Sequence, residues 1–190
     1  MDIFKKKILE EGIALNENVL KVDSFVNHQV DVELMEKIGE EFANHFKDKQ
    51  ITKVVTIEAS GIAPAIMTAK KIRKPLVILK KKTSKILSED FYQTPVISYT
   101  QNVTYNLTMS KKFINKDDKV LIIDDFLATG EACNATIKLI NQAGAEVVGI
   151  GILIEKTFQS GITKLEEQGI DVYSLARVKS LKNGKIEFMD

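Results

Sequence analysis

Residues 119–132, with the sequence KVLIIDDFLATGEA, constrain the fold of this chain more than any other segment. Residues 120–123 form a continuous apolar run, which is typical of a parallel strand that is buried on both faces. Asp124 and Asp125 follow directly, so we expect them at the carboxyl end of that strand, where open α/β sheets bind their ligands. Residues 128–132 then form a short loop of mostly small residues before a helix. The segment predicts a strand–loop–helix unit with a ligand site at its turn.

This unit has the chemistry of a site for a sugar phosphate. Free N–H groups at the start of the helix, and the positive end of its dipole, favour a phosphate at residues 128–132. Asp124 and Asp125 can accept hydrogen bonds from hydroxyl groups. Taken alone, an Asp-Asp pair is often a solvated turn or a helix cap, and Thr129-Gly130 is an ordinary loop. The combination at this spacing is far rarer, and the sequence contains neither a P-loop nor the glycine-rich dinucleotide fingerprint.

Length, charge and cysteine content narrow the class of protein. A chain of 190 residues is most simply one domain with a substantial core. Its 27 basic and 26 acidic residues give a net charge of +1, which argues against a nucleic-acid or membrane-surface partner. The N-terminus is too charged for a signal peptide, and no apolar stretch is long enough to cross a bilayer. The single cysteine, Cys133, is expected to pack inside a helix, and we expect a cytoplasmic protein.

The remaining pattern alternates strands and helices. Residues 53–57, 76–79, 120–123, 147–154 and 172–178 are predicted strands, with helices between them. This order predicts an α/β fold with a mostly parallel sheet and helices on both faces. Another helix is predicted to be capped by Asp31 and to bury one face, formed by Leu34, Met35, Ile38, Phe42 and Phe46.

Two segments depart from this alternation within the single domain of residues 1–190. The irregular residues 15–29 and the end of the chain from about residue 155, which closes in an Asn-Gly hairpin at residues 181–186, would form a small cap, here called the hood. Residues 80–113 form a basic excursion, here called the lid, with a predicted hairpin that turns at residues 101–102. Its cluster of basic residues comprises Lys80, Lys81, Lys82 and Lys85.

Three further features could belong to a site. Glu58-Ala59-Ser60-Gly61 follows a buried strand, and its small residues would let backbone N–H groups approach an anion; the alternative is a plain strand-to-helix turn. Lys156 follows another strand, where an isolated lysine is usually a solvated surface charge. Phe126 is either a core aromatic or a ring that stacks on a flat ligand.

These motifs resemble the signature of the type I phosphoribosyltransferases, which bind 5-phosphoribosyl 1-pyrophosphate (PRPP), and nearly the whole chain is similar to the bacterial xanthine phosphoribosyltransferases. The resemblance implies the type I phosphoribosyltransferase fold, with a mostly parallel central sheet flanked by helices, a hood and a flexible hairpin lid. It implies that Asp124 and Asp125 are the catalytic pair that holds the ribose 2′- and 3′-hydroxyls. It assigns the 5′-phosphate to Ala128, Thr129, Gly130, Glu131 and Ala132, and the pyrophosphate to Glu58, Ala59, Ser60 and Gly61.

The same resemblance assigns four residues to the base. Lys156 would donate to O6 of a 6-oxopurine and disfavour adenine, whose amino group is itself a donor. Leu20 and Asn27 in the hood would contact the base, and the Asn27 amide, both donor and acceptor, could recognise the 2-oxo edge of xanthine. Phe126 could stack on the purine face.

Two positions depart from relatives of this family. Ser60 stands where adenine-type enzymes commonly have arginine, so backbone groups, Ser60 or the basic lid must contact the pyrophosphate. Ala128 stands where many 6-oxopurine enzymes have an aspartate as a proposed acid/base. The proton of the base could then go to water or to Glu89 or Asp90 in the lid, or the base could bind already ionised.

The resemblance therefore implies transfer of the phosphoribosyl group of PRPP to xanthine in purine salvage, giving XMP and pyrophosphate, with Mg²⁺ bound alongside PRPP. It also implies a homodimer. Guanine, hypoxanthine or adenine remain alternative bases. A non-catalytic PRPP-sensing repressor is an alternative of another class, although the near-neutral charge and the lack of room for a DNA-binding module count against it.

Overall fold

The computed structural model describes residues 1–81, 90–98 and 103–189. In chain order the elements are α1 (Asp2–Glu11), β1 (Ile13–Asn16), β2 (Val19–Lys21), a π-helical turn (Asp23–Asn27), α2 (Val32–His45), β3 (Lys53–Ile57), α3 (Ile62–Ile72), β4 (Leu76–Leu79), β5 (Phe91–Ser98), β6 (Val103–Ser110), β7 (Lys119–Leu127), α4 (Glu131–Gln142), β8 (Glu146–Lys156), α5 (Gly161–Glu166), β9 (Val172–Ser180), a 3₁₀ turn (Lys182–Gly184) and β10 (Glu187–Phe188).

A six-stranded sheet forms the centre of the molecule, in the order β10-β9-β8-β7-β3-β4. All neighbouring pairs from β9 to β4 are parallel, and only β10 at the edge is antiparallel. Residues 120–123 of β7 are buried and alternate between two hydrophobic cores, one on each face. α1, α2 and α3 cover the first face, and α4 covers the second. The predicted mostly parallel sheet with helices on both faces is confirmed.

The strand that carries the two acids is longer than its apolar run suggests. β7 continues through Asp124 and Asp125 to Leu127, because β8 pairs with it along this length, with Asp124 opposite Ile152 and Leu127 opposite Glu155. The acids therefore lie in the last part of the strand rather than after it. β8 likewise extends two residues beyond its predicted end, so that Lys156 is its last residue.

The predicted cap and apolar face of α2 are confirmed. Asp31 Oδ1 accepts a hydrogen bond from the backbone N–H of Leu34 at 3.0 Å. The five apolar side chains of its predicted face, including Phe46 just after the helix, are all buried in the first core.

The hood segment is more regular than predicted. Residues 15–29 contain the end of a short hairpin, β1 paired antiparallel with β2, followed by the π-helical turn. Strands of three and four residues are too short to show a period in the sequence, which is why this region looks irregular. The predicted hairpin at the end of the chain is confirmed: β10 pairs with β9, and Asn183 and Gly184 between them have positive φ of 54° and 71°.

The lid contains a long antiparallel hairpin, with Phe91 of β5 opposite Ser110 of β6 at its base. Val96 of β5 and both Leu107 and Met109 of β6 are buried in the second core. The base of the hairpin is thus part of the fold, joined to the end of β4 by a bridge between Lys80 and Thr108. The predicted turn at residues 101–102, and Lys82, Lys85 and Glu89, lie outside the described residues.

Across the described ranges, no helix is both long and apolar enough to span a membrane.

Candidate active site

A cleft of about 990 Å³ lies at the carboxyl edge of the central sheet. It is bounded by the loops that follow β3 and β7, by the tip of the β1–β2 hairpin and by one face of the lid hairpin. Most of the sequence-predicted site residues line it, namely Glu58, Ala59, Ser60, Asp124, Asp125, Phe126, Ala128, Thr129, Gly130, Glu131 and Ala132.

The two acids form the floor of the cleft but differ in environment. Asp124 is buried, whereas Asp125 is half-buried and donates its backbone N–H to Asp124 Oδ1 at 3.0 Å. Burial, followed by the negative charge of Asp125, raises the pKa of Asp124 well above its usual range. A hydroxyl donor or a cation in the cleft would satisfy this carboxylate.

Gly61 does not line the cleft and has a packing role at the start of α3. A Cβ at this position would lie 2.3 Å from Thr56 Oγ1 and 2.9 Å from Asp124 Oδ1. Glycine therefore allows the loop after β3 to approach the acids closely. Its contribution to the site is the space that it leaves beside Asp124.

The loop after β7 has the geometry of an anion site. Gly130 adopts φ of 82°, which favours glycine, and caps α4. The first intrahelical bond runs from Asn134 N–H to Gly130 O, so the N–H groups just before Asn134 have no acceptor within the helix. Together with the helix dipole, these groups suit a phosphate.

α5 braces this loop from behind. Gly161 N–H donates to Ala128 O at 2.9 Å, and Lys164 Nζ donates to Thr129 O at 3.1 Å. Lys164 also forms an ion pair with Glu131 at 2.9 Å, so the Glu131 carboxylate already has a cationic partner. Contacts from α5 thus hold this loop at Ala128, Thr129 and Glu131.

The loop after β3 is joined to the two lysines that follow β4, of which Lys81 lines the cleft. The Glu58–Ala59 peptide bond is cis. Glu58 accepts hydrogen bonds from Lys80 Nζ at 3.1 Å and from the backbone N–H of Lys81 at 2.7 Å. Burial alone would raise the pKa of Glu58, but these two partners outweigh it and lower the pKa. The beginning of the lid is thereby tied to the loop that carries Ser60.

Lys156 lies just behind the cleft wall formed by Asn18 and Phe126. It is only 7% exposed, so it is not a solvated surface charge. Its Nζ donates to Asn18 O at 2.6 Å and lies 5.2 Å from the centroid of the Phe126 ring. Burial lowers the pKa of Lys156, while the charge of Asp125 opposes this shift. Phe126 both packs against the first core and lines the cleft.

The two hood residues assigned to the base lie apart from the cleft lining. Leu20 is buried in the first core, and Asn27 is exposed on the π-helical turn. Neither belongs to the set of residues that line the cleft. Their contact with the base stays a prediction.

Sequence reasoning missed several lining residues, including those at the tip of the hood hairpin. An Asn-x-Asn turn between two short apolar stretches was the available signal for the tip. Tyr105 is half-buried on β6, and no local pattern in the sequence indicates which face of this strand meets the cleft. Burial, and then the charge of Asp124, raise the pKa of Tyr105. The missed residues are Asn16, Glu17, Asn18, Val19, Ile57, Val96, Ile97, Tyr105, Leu127, Cys133 and Gln159.

Cys133 is buried in the second core, as the sequence predicts. Burial, together with the charges of Asp124 and Asp125, raises the pKa of its thiol. A thiol that resists ionisation is a packing residue and not a nucleophile.

Comparisons with known proteins agree with this geometry. The chain is 58% identical over 189 residues to xanthine phosphoribosyltransferase 1 of Clostridium botulinum, and 52% identical over 190 residues to xanthine phosphoribosyltransferase of Pseudomonas aeruginosa, with 100% of both chains covered in each case. Adenine phosphoribosyltransferase of Rhodothermus marinus is similar in structure, with a TM-score of 0.68 and 32% identity over 77% of this chain and 80% of that chain. The enzyme of Trypanosoma brucei, with a TM-score of 0.77, 20% identity and coverage of 92% and 79%, shares the fold. The family described as phosphoribosyl transferase domain matches residues 25–178, and the chain belongs to this family.

Proposed function

We propose that this chain transfers the 5-phosphoribosyl group of PRPP to xanthine, giving XMP and pyrophosphate in purine salvage. The observation that carries the proposal is the meeting, in one cleft, of two carboxylates and a helix-start anion loop, with a buried lysine directly behind the aromatic ring that lines the cleft. The names of full-length relatives support xanthine as the base.

Different parts of the cleft would bind different groups of PRPP. Asp124 and Asp125 would accept the ribose hydroxyls, residues 128–132 would hold the 5′-phosphate, and residues 58–60 with Lys81 would face the pyrophosphate. The base displaces pyrophosphate at the anomeric carbon, and positive charge develops on the ribose in the transition state. Two carboxylates at the cleft floor are well placed to stabilise that charge.

The donor set fits a magnesium ion that binds with the substrate. Adjacent carboxylates are hard oxygen ligands, and within residues 1–81, 90–98 and 103–189 no group of three or more acidic, histidine or cysteine side chains could hold a metal by itself. Asp124 and Asp125 would hold the ion together with oxygens of PRPP. When bound, Mg²⁺ would neutralise charge on the leaving pyrophosphate.

Base selection would depend on Lys156. Its ammonium can donate to O6 of xanthine, guanine or hypoxanthine but meets only a donor on adenine. Asn27 would add recognition of the 2-oxo edge, as the family resemblance implies.

Ala128 leaves the proton of the base without a side-chain acceptor at that position. Asp90 pairs with Lys111 at 3.0 Å and lies outside the cleft lining, and Glu89 is outside the described residues. We therefore favour water, or binding of xanthine as an anion, over Asp90.

Three broader features belong to the same proposal. The chain would be one domain with a hood at about residues 15–29 and 155–190 and a lid at about residues 80–113. It would act as a homodimer, as the family resemblance implies, which light scattering would test. A cytoplasmic location suits its single buried thiol.

Pyrophosphate release tests the function directly. PRPP and Mg²⁺ are supplied with xanthine, guanine, hypoxanthine or adenine at equal concentrations, and the Asp124→Asn/Asp125→Asn double variant is the control. We expect xanthine to give the highest kcat/KM and the double variant to lose it. A preference for another base would overturn the substrate, and PRPP binding without turnover would favour a sensor instead.

A further inference from the structure

The tip of the hood hairpin is shaped by one side chain. Asn18 N–H donates to Asn16 Oδ1 at 2.8 Å, which closes the turn between β1 and β2. This is an Asx turn, in which an asparagine side chain replaces a backbone acceptor and sets the direction of the residues that follow. The bond fixes the Glu17–Asn18 peptide, and the direction of the Asn18 carbonyl, which belongs to the next peptide, follows from it through the backbone of Asn18.

The backbone carbonyl of Asn18 makes a contact that is remote in sequence. It accepts a hydrogen bond from Lys156 Nζ at 2.6 Å, across 138 positions of the chain. An ammonium has three N–H donors arranged tetrahedrally, so one fixed acceptor limits where the other two can point. The Phe126 ring, 5.2 Å away, restricts the ammonium from a second side.

We propose that Asn16 is a positioning residue for base recognition: its Asx turn holds the Asn18 carbonyl, which in turn aims Lys156 at the O6 of the bound base. The proposal rests on the function proposed above. It makes the hood tip, and not only the hood residues assigned by resemblance, a determinant of base affinity. Asn16 acts through Asn18 and Lys156 and need not touch the base.

Three substitutions at Asn16 separate this role from direct contact with substrate, since Asn16 also lines the cleft. Asn16→Ala removes the acceptor of the turn. Asn16→Asp and Asn16→Ser keep an oxygen that can accept from Asn18 N–H but lack the amide donor. Leu15→Ala is the matched control, because Leu15 is the neighbouring residue, is exposed and does not line the cleft.

Steady-state kinetics with separate titrations of base and PRPP provide the test. We expect Asn16→Ala to raise KM for xanthine about five- to tenfold, the effect of losing roughly one hydrogen bond, with KM for PRPP and kcat within about twofold. The Asp and Ser variants should restore KM to within about twofold of the wild type, and Leu15→Ala should not change it.

Three results would overturn the proposal. One is an unchanged KM for xanthine in Asn16→Ala, and another is an equal loss in the Ala, Asp and Ser variants, which would mean direct contact through the amide. The third is a parallel rise in KM for PRPP, which would mean a general disturbance of the hood. The wild-type comparison of four bases separates these results from failure of the proposed function. If guanine or hypoxanthine is preferred, the same series with that base still tests the aim of Lys156 at O6, and no turnover with any base overturns both.

Discussion

Asp124 and Asp118 are both buried aspartates on or beside β7, and their surroundings are opposite. Asp118 accepts hydrogen bonds from Thr52 Oγ1 and the backbone N–H of Asn115, each at 2.7 Å, and pairs with Lys53 at 3.2 Å. Burial alone would raise its pKa, but these partners lower it. Asp124 faces the cleft beside Asp125 and has a raised pKa. The first carboxylate stabilises the fold, and the second is held ready for a ligand.

This contrast predicts opposite effects on stability. A raised folded-state pKa means that Asp124 destabilises the fold as pH rises above about 4, the usual aspartate value. Asp124→Asn should therefore increase the free energy of unfolding at pH 7, with no gain below about pH 4. Asp118→Asn should decrease it by about 1–3 kcal/mol at pH 7, and this loss should shrink as pH falls below about 4. Urea unfolding at several pH values measures both changes. If the two substitutions changed the free energy of unfolding in the same direction at pH 7, the opposite roles of Asp124 and Asp118 would be contradicted.

A second prediction at this scale concerns Lys156. Lys156→Met keeps an apolar stem of similar length and removes the ammonium, so kcat/KM for xanthine should fall about 10- to 100-fold with little change in KM for PRPP. The ratio of kcat/KM for xanthine to kcat/KM for adenine should fall as well. Lys179→Met, on the exposed side of β9, serves as the control. An unchanged ratio of xanthine to adenine would show that Lys156 does not read O6.

At the scale of single residues, the sequence predicts which residue types form the site but not which of them are in contact. The acids and the small loop residues could be recognised because their spacing is local. The neighbours of Lys156 could not, since Asn18 is 138 positions away and the hairpin that carries it has strands too short to show a period.

Among the elements, α5 supports the loop that is predicted to bind the 5′-phosphate. It is a single short helix, yet Gly161 and Lys164 contact the loop at residues 128–130. α5 reaches this loop because β8 ends beside it. The predicted end of β8 is two residues too early, since pairing between β7 and β8 extends both strands beyond their apolar runs. Tertiary pairing overrides local pattern at the site itself.

Removing the brace should weaken binding of the 5′-phosphate. Lys164→Met loses the bonds to Thr129 O and Glu131, so we expect KM for PRPP to rise about three- to tenfold while KM for xanthine stays the same. Lys138→Met, at an exposed position of α4, provides the comparison. An equal effect of both substitutions would point to surface charge rather than to the loop.

At the scale of the whole molecule, the cleft joins segments from residue 16 to residue 159. The sequence predicts the layers, because alternating strands and helices leave few other arrangements. It does not predict that β7 lies between β3 and β8, nor that the base of the lid completes the second core, because both depend on contacts between distant segments.

A ligand that spans these segments should stabilise the entire fold. PRPP with Mg²⁺ at about 100 times its Kd contributes roughly 2.7 kcal/mol, which corresponds to a rise in Tm of about 5–10 °C for a chain of this size. The Asp124→Asn/Asp125→Asn double variant should lose most of this shift. Differential scanning fluorimetry measures it, and a full shift in the double variant would contradict the ribose assignment.

Because Cys133 is buried, the accessibility of its thiol reports local unfolding of the region around the cleft. The thiol lies at the start of α4, directly beneath the cleft, and it is the single cysteine of the chain. Alkylating reagents should reach it only when this part of the fold opens, so the rate of labelling measures the free energy of that opening. Bound PRPP should slow labelling in proportion to its occupancy, which would make an ordinary mass-spectrometric assay a reading of ligand affinity without any turnover.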